Sequence, residues 1–523
     1  MIMIMPWRHG FCEGPAAGAW GPTGRESGLP EIQGGLTINF RRDRPATALG
    51  EPAMTPCQRA PRTVPADARR LFTIACVSAV LALTAAGQAV AQPGFGGGFG
   101  GRFGGFGAVG GISIDTDGII RTLEPGAVAK LAKERRAALA DAVLPQKPGD
   151  LRKVSLARVV AGVAAQAGQN RPLPVDLLLL GGLERITHVF VDPDGHDIVL
   201  AGPGDKPAVD AAGTFVAAGS GRPLLLLEDL IVALRSIEQA RAGGIQCSID
   251  PTPEGIARLQ KFLAAQKTIG PAPDAVFRGM EEALGPQRVR VGGVPAESRF
   301  ALVLVSADYR MKRIGMGLTP SGIKELPSYL SMVPAGGRAS SLPRFWLEAE
   351  YDPIARDADE LAWRLSGRRM KCLTESDLAA EGGIRRGAGA ADATTTKWCA
   401  AMTKHYDALA AKQPVFAELV NCVDIAVVAA LIKGRQLDAR AGLDLGPLLD
   451  PAKLPLPRYD APTSVPTVAS GIKKGTSWVL SASGGVQFQP WAFAANSAAA
   501  DDLATARTTA LNDRPASGPL SWD

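Results

Sequence analysis

The chain has 523 residues, of which 46% are hydrophobic, and it carries a net charge of +6 at pH 7. Residues 92–523 hold 48 Lys and Arg against 45 Asp and Glu, a net charge of +3. This balance gives no electrostatic reason to expect nucleic acid as a partner, and the hydrophobic content is enough for large cores.

The first predicted element is an export signal that begins unusually late in the chain. Arg69 and Arg70 precede a nearly uninterrupted apolar run over 71–86, and the small residues of Ala89-Val90-Ala91 follow it. These are the three parts of a cleavable secretory signal, and the run is shorter than the roughly 20 residues that span a bilayer. We therefore predict a signal peptide over residues 54–91, cleavage after Ala91, and export to the periplasm or the extracellular space.

The position of this signal favours Met54 as the true start of translation. Residues 1–53 show no helical or strand periodicity, so we expect them to be a mis-assigned and disordered extension. The arginine pair also resembles a twin-arginine signal, although Ala68 stands where that signal prefers Ser or Thr. The general secretory and twin-arginine routes both stay open. Residues 92–111, rich in Gly and Phe, are predicted to be a flexible linker.

Residues 112–335 are predicted to form an N-terminal α/β domain. Asp-Gly turns within "GISIDTDGIIRTL" and "THVFVDPDGHDIVLAG" predict two β-hairpins, and "IQCSID" predicts a buried strand. Helices are predicted where apolar residues recur at helical spacing: 128–143, "LARVVAGVAAQ" after the capping residue Ser155, "LLLLEDLIVALRSIEQARAGG", "EGIARLQKFLAAQ" after Thr252, and "SRFALVLVSADYRMKRIGMG".

Residues 336–491 are predicted to form a second domain. It combines a β-meander over 345–374 with a helical hairpin whose two helices, 395–412 and 415–433, are separated by Pro414. "TSWVLSASGGVQFQPW" predicts a final β-hairpin, and residues 492–523 are predicted to be a disordered tail. The fold class that follows is α+β, with short hairpins and a meander packed against helices. No transmembrane segment is predicted after residue 92, because the longest apolar stretches are short and carry acids.

The order of several segments resembles a known family. The segments include "GISIDTDGIIR", "CSIDPTPEGIARLQ", "SRFALVLVSADYRMKRIGMGL" and "PVFAELVNCVDIAVVAALI". Together they resemble a secreted family that occurs as many paralogues in planctomycete-type bacteria and is catalogued only as a domain of unknown function. The resemblance covers about residues 112–491. It implies export and a shared fold, and it carries over no catalytic residue.

Four cysteines follow the predicted cleavage site: Cys247, Cys372, Cys399 and Cys422. In an oxidising compartment they could form two disulfides, with three possible pairings, and otherwise they would be four buried thiols. The sequence leaves these alternatives open. Cys247 is also the candidate nucleophile of an exported hydrolase, with His188 or His405 as its base.

No complete catalytic, metal-binding or cofactor-binding motif accompanies these residues. No two histidines after residue 92 are three or four residues apart, and "DPDGHD" lacks the remaining ligands of a calcium loop. There is neither a P-loop nor a dinucleotide fingerprint, so no cofactor is predicted. We assign no catalytic residue from the sequence alone.

One basic cluster is a candidate binding patch. Arg310, Lys312 and Arg313 lie at the end of a predicted helix, where they could bind an anion or a partner protein. They could instead complement the negative end of the helix dipole, which is the interpretation that we favour. The sequence as a whole favours an exported, non-enzymatic envelope or extracellular interaction module with a protein or envelope partner. The alternative is the hydrolase based on Cys247.

Overall fold

The computed structural model describes residues 109–523 apart from 110–111, 116, 123, 141, 143–144, 170, 267–272, 335–341, 375, 381–382, 390–392, 472–477, 480 and 517. The predicted extension and signal peptide therefore lie outside the described residues, as does the predicted linker except for Val109. Helices and mixed sheets both run through the described part of the chain, which confirms the α+β class.

The strands are short and are distributed along the whole described chain. In chain order they are β1 (Ile112–Ile114), β2 (Ile120–Thr122), β3 (Gly149–Ser155), β4 (His188–Asp192), β5 (Asp197–Gly204), β6 (Pro207–Val209), β7 (Phe215–Ala217), β8 (Ile245–Asp250), β9 (Gln287–Gly292), β10 (Arg344–Glu350), β11 (Ile354–Arg356), β12 (Ala362–Arg364), β13 (Arg369–Thr374), β14 (Ser376–Ala380), β15 (Gly383–Gly389), β16 (Ser464–Val465), β17 (Ser470–Gly471), β18 (Trp478–Val479), β19 (Ser483–Phe488), β20 (Ser497–Ala499) and β21 (Ser521–Trp522).

The helices vary from a single turn to 21 residues. In chain order they are α1 (Pro125–Ala140), α2 (Leu156–Gln169), α3 (Val175–Leu178), α4 (Leu227–Ser236), α5 (Ala240–Gly243), α6 (Pro253–Ala265), α7 (Pro273–Leu284), α8 (Arg299–Gly315), α9 (Tyr329–Met332), α10 (Ala393–Lys404), α11 (Tyr406–Lys412), α12 (Pro414–Gly434), α13 (Leu437–Ala441), α14 (Gly446–Leu449), α15 (Pro490–Ala495) and α16 (Asp502–Asn512).

Several helix starts agree with the predicted capping residues. Ser155 accepts a hydrogen bond from the Arg158 amide, and Thr252 accepts one from the Gly255 amide with Pro253 in the first turn. The side-chain oxygen of a capping residue satisfies an amide that has no partner inside the helix. Local sequence therefore fixes where α2 and α6 begin.

Two mixed sheets organise the chain. One has six strands in the order β13-β10-β19-β8-β9-β16, and the other has seven in the order β20-β11-β12-β4-β5-β3-β21. Each contains strands from both sides of residue 335, so the predicted division at that residue does not separate the sheets. All described residues lie in one compact unit.

The main core lies between the two sheets and is built around α8 and α12. α8 packs on the six-stranded sheet, and α12 packs on α8, α4 and α15. α12 is long and apolar enough to cross a membrane, with a mean hydropathy of 2.2, but its apolar window is completely buried inside the fold. A helix that is apolar on all sides is typical of a protein interior as well as of a membrane.

The predicted meander over 345–374 needs correction. β10 and β13 pair with each other in the six-stranded sheet, whereas β11 and β12, which lie between them in sequence, belong to the seven-stranded sheet. The chain thus crosses to the second sheet and returns. The crossing allows the indole ring of Trp363 on β12 to be fully buried in the main core.

The predicted final hairpin is also wrong in its pairing. β19 pairs with β10 in parallel and with β8 antiparallel, at the centre of the six-stranded sheet. Gly484, with φ of +116°, makes this insertion possible, because a Cβ there would collide with the carbonyl group of Phe345. Glycine is the residue that tolerates such a close approach of two backbones.

Residues 492–523 are ordered where the structure describes them, contrary to the prediction of a disordered tail. α16 packs on β12 and β4, and β21 pairs with β3 at the edge of the seven-stranded sheet. Leu503, Ala510 and Trp522 are buried with Phe190 and Val199 on the outer face of that sheet. A few apolar residues in a polar segment are enough to pack residues 492–523 against the outer face of the seven-stranded sheet.

Candidate functional site

Cys247, the candidate nucleophile, is a core residue of the six-stranded sheet. It lies on β8 opposite Val486 of β19 and is 1% exposed. Burial, together with the nearby carboxylate of Asp308, raises the pKa of its thiol well above the ordinary value. A nucleophilic cysteine needs the opposite shift, because the thiolate is the reactive form.

The two candidate histidines lie elsewhere. His188 is on β4 of the seven-stranded sheet, stacked on Phe190, with its Nδ1 2.9 Å from Oγ1 of Thr187. Burial and the charge of Arg364 lower its pKa to about 4. His405 lies between α10 and α11. Among the described residues, no hydrogen bond joins Cys247 to either histidine, so the contacts do not assemble the predicted pair.

The three residues of the candidate basic patch differ in their exposure. Lys312 is 4% exposed, and its Nζ donates to Asp308 Oδ2 and to the carbonyl oxygen of Ile249, both at 2.8 Å. Arg313 donates to Thr319 and to the carbonyl oxygen of Leu318 beyond the end of α8. Lys312 therefore does not contribute to a surface patch. Arg310 is half-buried, and burial followed by repulsion from Arg313 lowers its pKa.

A different part of the molecule combines a cavity with buried titratable groups. A cavity of about 470 Å³, which we call the chamber, lies between α4, the start of α8 and residues 446–459, which we call the strap. α4 lines it with Glu228, Val232, Arg235 and Ser236, and the strap lines it with Pro451 and residues 455–458. This volume is within the range of small-molecule sites.

Hydrogen bonds to its backbone fasten the strap to Arg235 of α4 and to Glu297 before α8. Arg235 donates from Nε to the carbonyl oxygen of Leu448 at 2.9 Å, and from Nη2 to those of Leu454 at 2.9 Å and Asp450 at 3.3 Å. At the other end, the Tyr459 amide donates to the carbonyl oxygen of Glu297 at 2.9 Å. These contacts hold the proline-rich segment as a roof over the chamber.

The floor of the chamber is a buried ionic cluster around Arg299, the first residue of α8. Its guanidinium donates to Asp229 and to Glu418, and its Nε is 3.8 Å from Oε1 of Glu228. Each of these four side chains is less than a tenth exposed. Burial alone would lower the pKa of Arg299, but the three carboxylates raise it above its ordinary value.

Glu228 is the member of the carboxylate group that reaches the chamber. The hydroxyl of Tyr459 donates to its carboxylate, with distances of 3.2 and 3.3 Å to the two oxygens. Burial and the adjacent Asp229 raise the pKa of Glu228 to about 7. The carboxyl group can therefore hold or release a proton near neutral pH.

The cluster contains more carboxylate than cationic groups. Three carboxylates, those of Glu228, Asp229 and Glu418, face Arg299 and the buried Arg135, whose pKa burial lowers to about 10. Burial raises the pKa of Asp229 and Glu418 as well. Within the described chain, Asp229 Oδ1 and Glu418 Oε2 accept no hydrogen bond. The positive end of the α4 dipole reduces the cost, since Glu228 and Asp229 lie in the first turn of α4.

A second cavity, of about 400 Å³, adjoins the chamber and shares Arg235 and Pro451 with it. Its lining is mostly apolar, and two of its charged residues, Glu238 and Lys433, are exposed. Among the described residues, no group of three or more His, Cys, Asp or Glu side chains is placed to hold a metal ion. The chamber is therefore the better candidate site, because its polar floor is buried.

Sequence reasoning did not select these residues. Glu228 and Asp229 were visible as two adjacent acids inside "PLLLLEDLIVAL", and Glu418 as an acid inside an apolar helix. Acids that interrupt an otherwise apolar pattern indicate a buried ionic cluster, because a buried charge needs a partner of opposite charge. Their partner Arg299 is 70 residues from Asp229 and 119 from Glu418, a separation that no local pattern spans.

Comparison with known proteins identifies part of the chain. Residues 247–329 match a family described as a protein of unknown function (DUF1598). The match confirms a domain of unknown function over these residues, which include Cys247 and Arg299 but neither Glu228 nor Tyr459. Searches against curated proteins and against solved structures gave no significant match.

Proposed function

We propose that this protein is an exported interaction module of the envelope or extracellular space, and that it acts by binding a small cationic ligand in the chamber rather than by catalysis. The predicted signal peptide over residues 54–91 supports export. The chamber above Glu228 supports binding, since it combines a cavity of ligand size with one buried titratable carboxyl group.

The excess of carboxylates in the buried cluster beneath Glu228 carries the proposal, although Arg235, Arg299 and Arg458 also line the chamber. Glu228 adjoins Asp229 and shares Arg299 with it and with Glu418, so its negative charge is only partly compensated. An ammonium group entering the chamber would contact the Glu228 carboxylate and supply the missing positive charge. A charge-assisted hydrogen bond of this kind is about twice as strong as a neutral one.

Binding of a cation is linked to the proton on Glu228. Its carboxyl group is half protonated near pH 7, and the bound cation favours the ionised form. The ligand therefore displaces a proton, and its affinity rises as the pH rises through about 7. Below that range the proton competes with the ligand.

Three probes of the same shape test the sign of the preferred charge. Isothermal titration at pH 8 with benzylamine, benzyl alcohol and benzoate is expected to give the order of affinity cation, neutral, anion, with about tenfold between the first two, or ~1.4 kcal/mol. Glu228→Gln is expected to abolish the difference between benzylamine and benzyl alcohol. Equal affinities in the native protein would contradict the proposal.

Glu238→Gln is the matched control for this experiment. Glu238 is exposed, lies just beyond α4 and lines the second cavity instead of the chamber. Its substitution is expected to leave the preference for benzylamine unchanged.

Export is tested separately by N-terminal sequencing of material secreted from the native cells, with Gln92 expected as the first residue.

A further inference from the structure

Two of the four cysteines meet where α10 packs against β13. The Thr403 hydroxyl oxygen accepts a hydrogen bond from the Cys372 amide at 2.8 Å and donates one to the Cys372 carbonyl oxygen at 3.2 Å. Cys399 lies four residues before Thr403, on the same face of α10. These hydrogen bonds fix α10 against β13. They place Cys399 one helical turn away from the contact between Thr403 and Cys372.

The two cysteines are neighbours in the core. Cys372 is 4% and Cys399 3% exposed, and burial followed by the adjacent Cys399 side chain raises the pKa of the Cys372 thiol. The remaining cysteines have different neighbours. Cys247 is near Asp308 in the sheet, and Cys422 on α12 is near Asp229 and Arg299. Of the six pairs that four cysteines allow, the packing of α10 on β13 makes one pair neighbours.

We infer that Cys372 and Cys399 are a covalent cross-linking site, which forms a disulfide in an oxidising compartment while Cys247 and Cys422 stay thiols. The inference rests on the proposed function in one respect, the export that would bring the chain to such a compartment. The oxidant is a disulfide, either of a thiol–disulfide oxidoreductase or of oxidised glutathione in vitro.

The reaction proceeds by two exchanges. One cysteine loses a proton, and its thiolate attacks the oxidant disulfide to form a mixed disulfide and release one thiolate. The second cysteine, also deprotonated, attacks the protein sulfur of the mixed disulfide and releases the other thiolate. Overall the protein loses two protons and two electrons, and the oxidant disulfide is reduced to two thiols.

The timing of this reaction follows from burial. Both sulfurs are enclosed in the native core, where an oxidant cannot reach them, and burial raises the pKa of the Cys372 thiol. The bond therefore forms while the chain folds, as α10 docks on β13. Once formed, it joins the edge strand of the six-stranded sheet to α10 across the segment that contains β14 and β15.

Refolding with oxidised and reduced glutathione tests the inference. The full chain is refolded, alkylated in denaturant and digested, and its peptides are mapped by mass spectrometry. Among the four cysteines after residue 91, the expected map contains one cross-link, Cys372 to Cys399, whose peptide is lighter by two hydrogens than its two parts, with Cys247 and Cys422 alkylated. Alkylation of all four of these cysteines, or any other pairing among them, would overturn the inference.

Two variants and one condition sharpen the result. Cys372→Ser should leave Cys399 alkylated, whereas the control Cys422→Ser should leave the cross-link intact; the map of the unsubstituted protein decides the question even if a variant fails to fold. Adding oxidant after folding should give at least tenfold slower cross-linking than adding it during refolding.

The refolding map does not depend on export. An intact residue 1 in native material would therefore refute export alone, while the absence of the bond in vitro would refute the cross-link alone.

Discussion

The hydroxyl of Tyr459, on the strap, lies 3.2 and 3.3 Å from the two carboxylate oxygens of Glu228, on α4. These residues are 231 positions apart, and both are buried. The contact joins the roof of the chamber to the titratable group on its floor. The protonation of Glu228 and the position of the strap are therefore expected to depend on each other.

Glu228→Gln should flatten the pH dependence of folding stability. The pKa of Glu228 rises from 4.5 in the unfolded chain to about 7, so the folded state holds a proton that the unfolded state releases. The stability contributed by this group is complete below pH 4.5 and is lost as the pH rises through 7, a loss of about 3 kcal/mol or less. Urea unfolding at pH 5 and pH 7.5 measures it, and the exposed-site variant Glu238→Gln should keep the native pH dependence. An unchanged dependence in Glu228→Gln would contradict the assignment.

Tyr459→Phe should weaken the contact between the strap and the floor. It removes a hydroxyl that donates to the Glu228 carboxylate, and a lost buried hydrogen bond costs about 1–2 kcal/mol. Because that hydrogen bond favours the ionised carboxylate, the midpoint of the pH dependence should move upwards. Unfolding curves between pH 5 and pH 9 would record both effects. Tyr309→Phe, at a half-buried tyrosine outside the chamber, is the control and should move neither.

Arg235→Lys should loosen the strap without removing positive charge. The guanidinium of Arg235 contacts three strap carbonyl groups at once, which the single ammonium of lysine cannot reproduce. Limited proteolysis should cut residues 446–459 several times faster in this variant. Arg241→Lys, at an exposed arginine of α5, should be cut at the native rate. Equal rates in all three proteins would show that Arg235 does not hold the strap.

Lys312→Met should destabilise the fold far more than Arg310→Met, although both residues lie on α8. Lys312 compensates the fully buried Asp308, and removing one partner of a buried ion pair costs about 3–5 kcal/mol. Arg310 is half-buried outside this pair, so we expect a loss of about 1 kcal/mol or less. Chemical denaturation compares the two. Adding Asp308→Asn to Lys312→Met should recover part of the loss, and no recovery would argue against the pair.

Trp522→Ala tests the ordered tail. The indole is 7% exposed, donates to the carbonyl oxygen of Ala510 at 3.2 Å, and covers the outer face of the seven-stranded sheet. Truncating a buried aromatic ring costs about 3–5 kcal/mol. Thermal or urea unfolding should show this loss, while Asp501→Ala, at an exposed position of the same tail, should differ little from the native protein. A loss below about 1 kcal/mol would mean that the tail is not part of the core.

The helices were more predictable than the sheets. The hydrophobic period, the capping residues Ser155 and Thr252, and the first-turn residue Pro253 located α2, α6 and the start of α8 within a few residues, because these signals act over a single turn. The strand pairing over 345–374 was not predicted correctly. β10 pairs with β13 across a segment that crosses to the other sheet and returns. The sequence of a short strand does not indicate which distant strand it pairs with.

The sequence by itself determined the α+β class, the two Asp-Gly hairpins and most of the helices, all of which depend on interactions between near neighbours in the chain. Only the tertiary structure decided the chemical environment of each polar residue. Folding buried Cys247 and Lys312, placed His188 in a different sheet from Cys247, and brought Glu228, Arg299 and Tyr459 together beside a cavity. Burial and long-range charge contacts set the pKa of such groups, and both arise from residues that are far apart in the sequence.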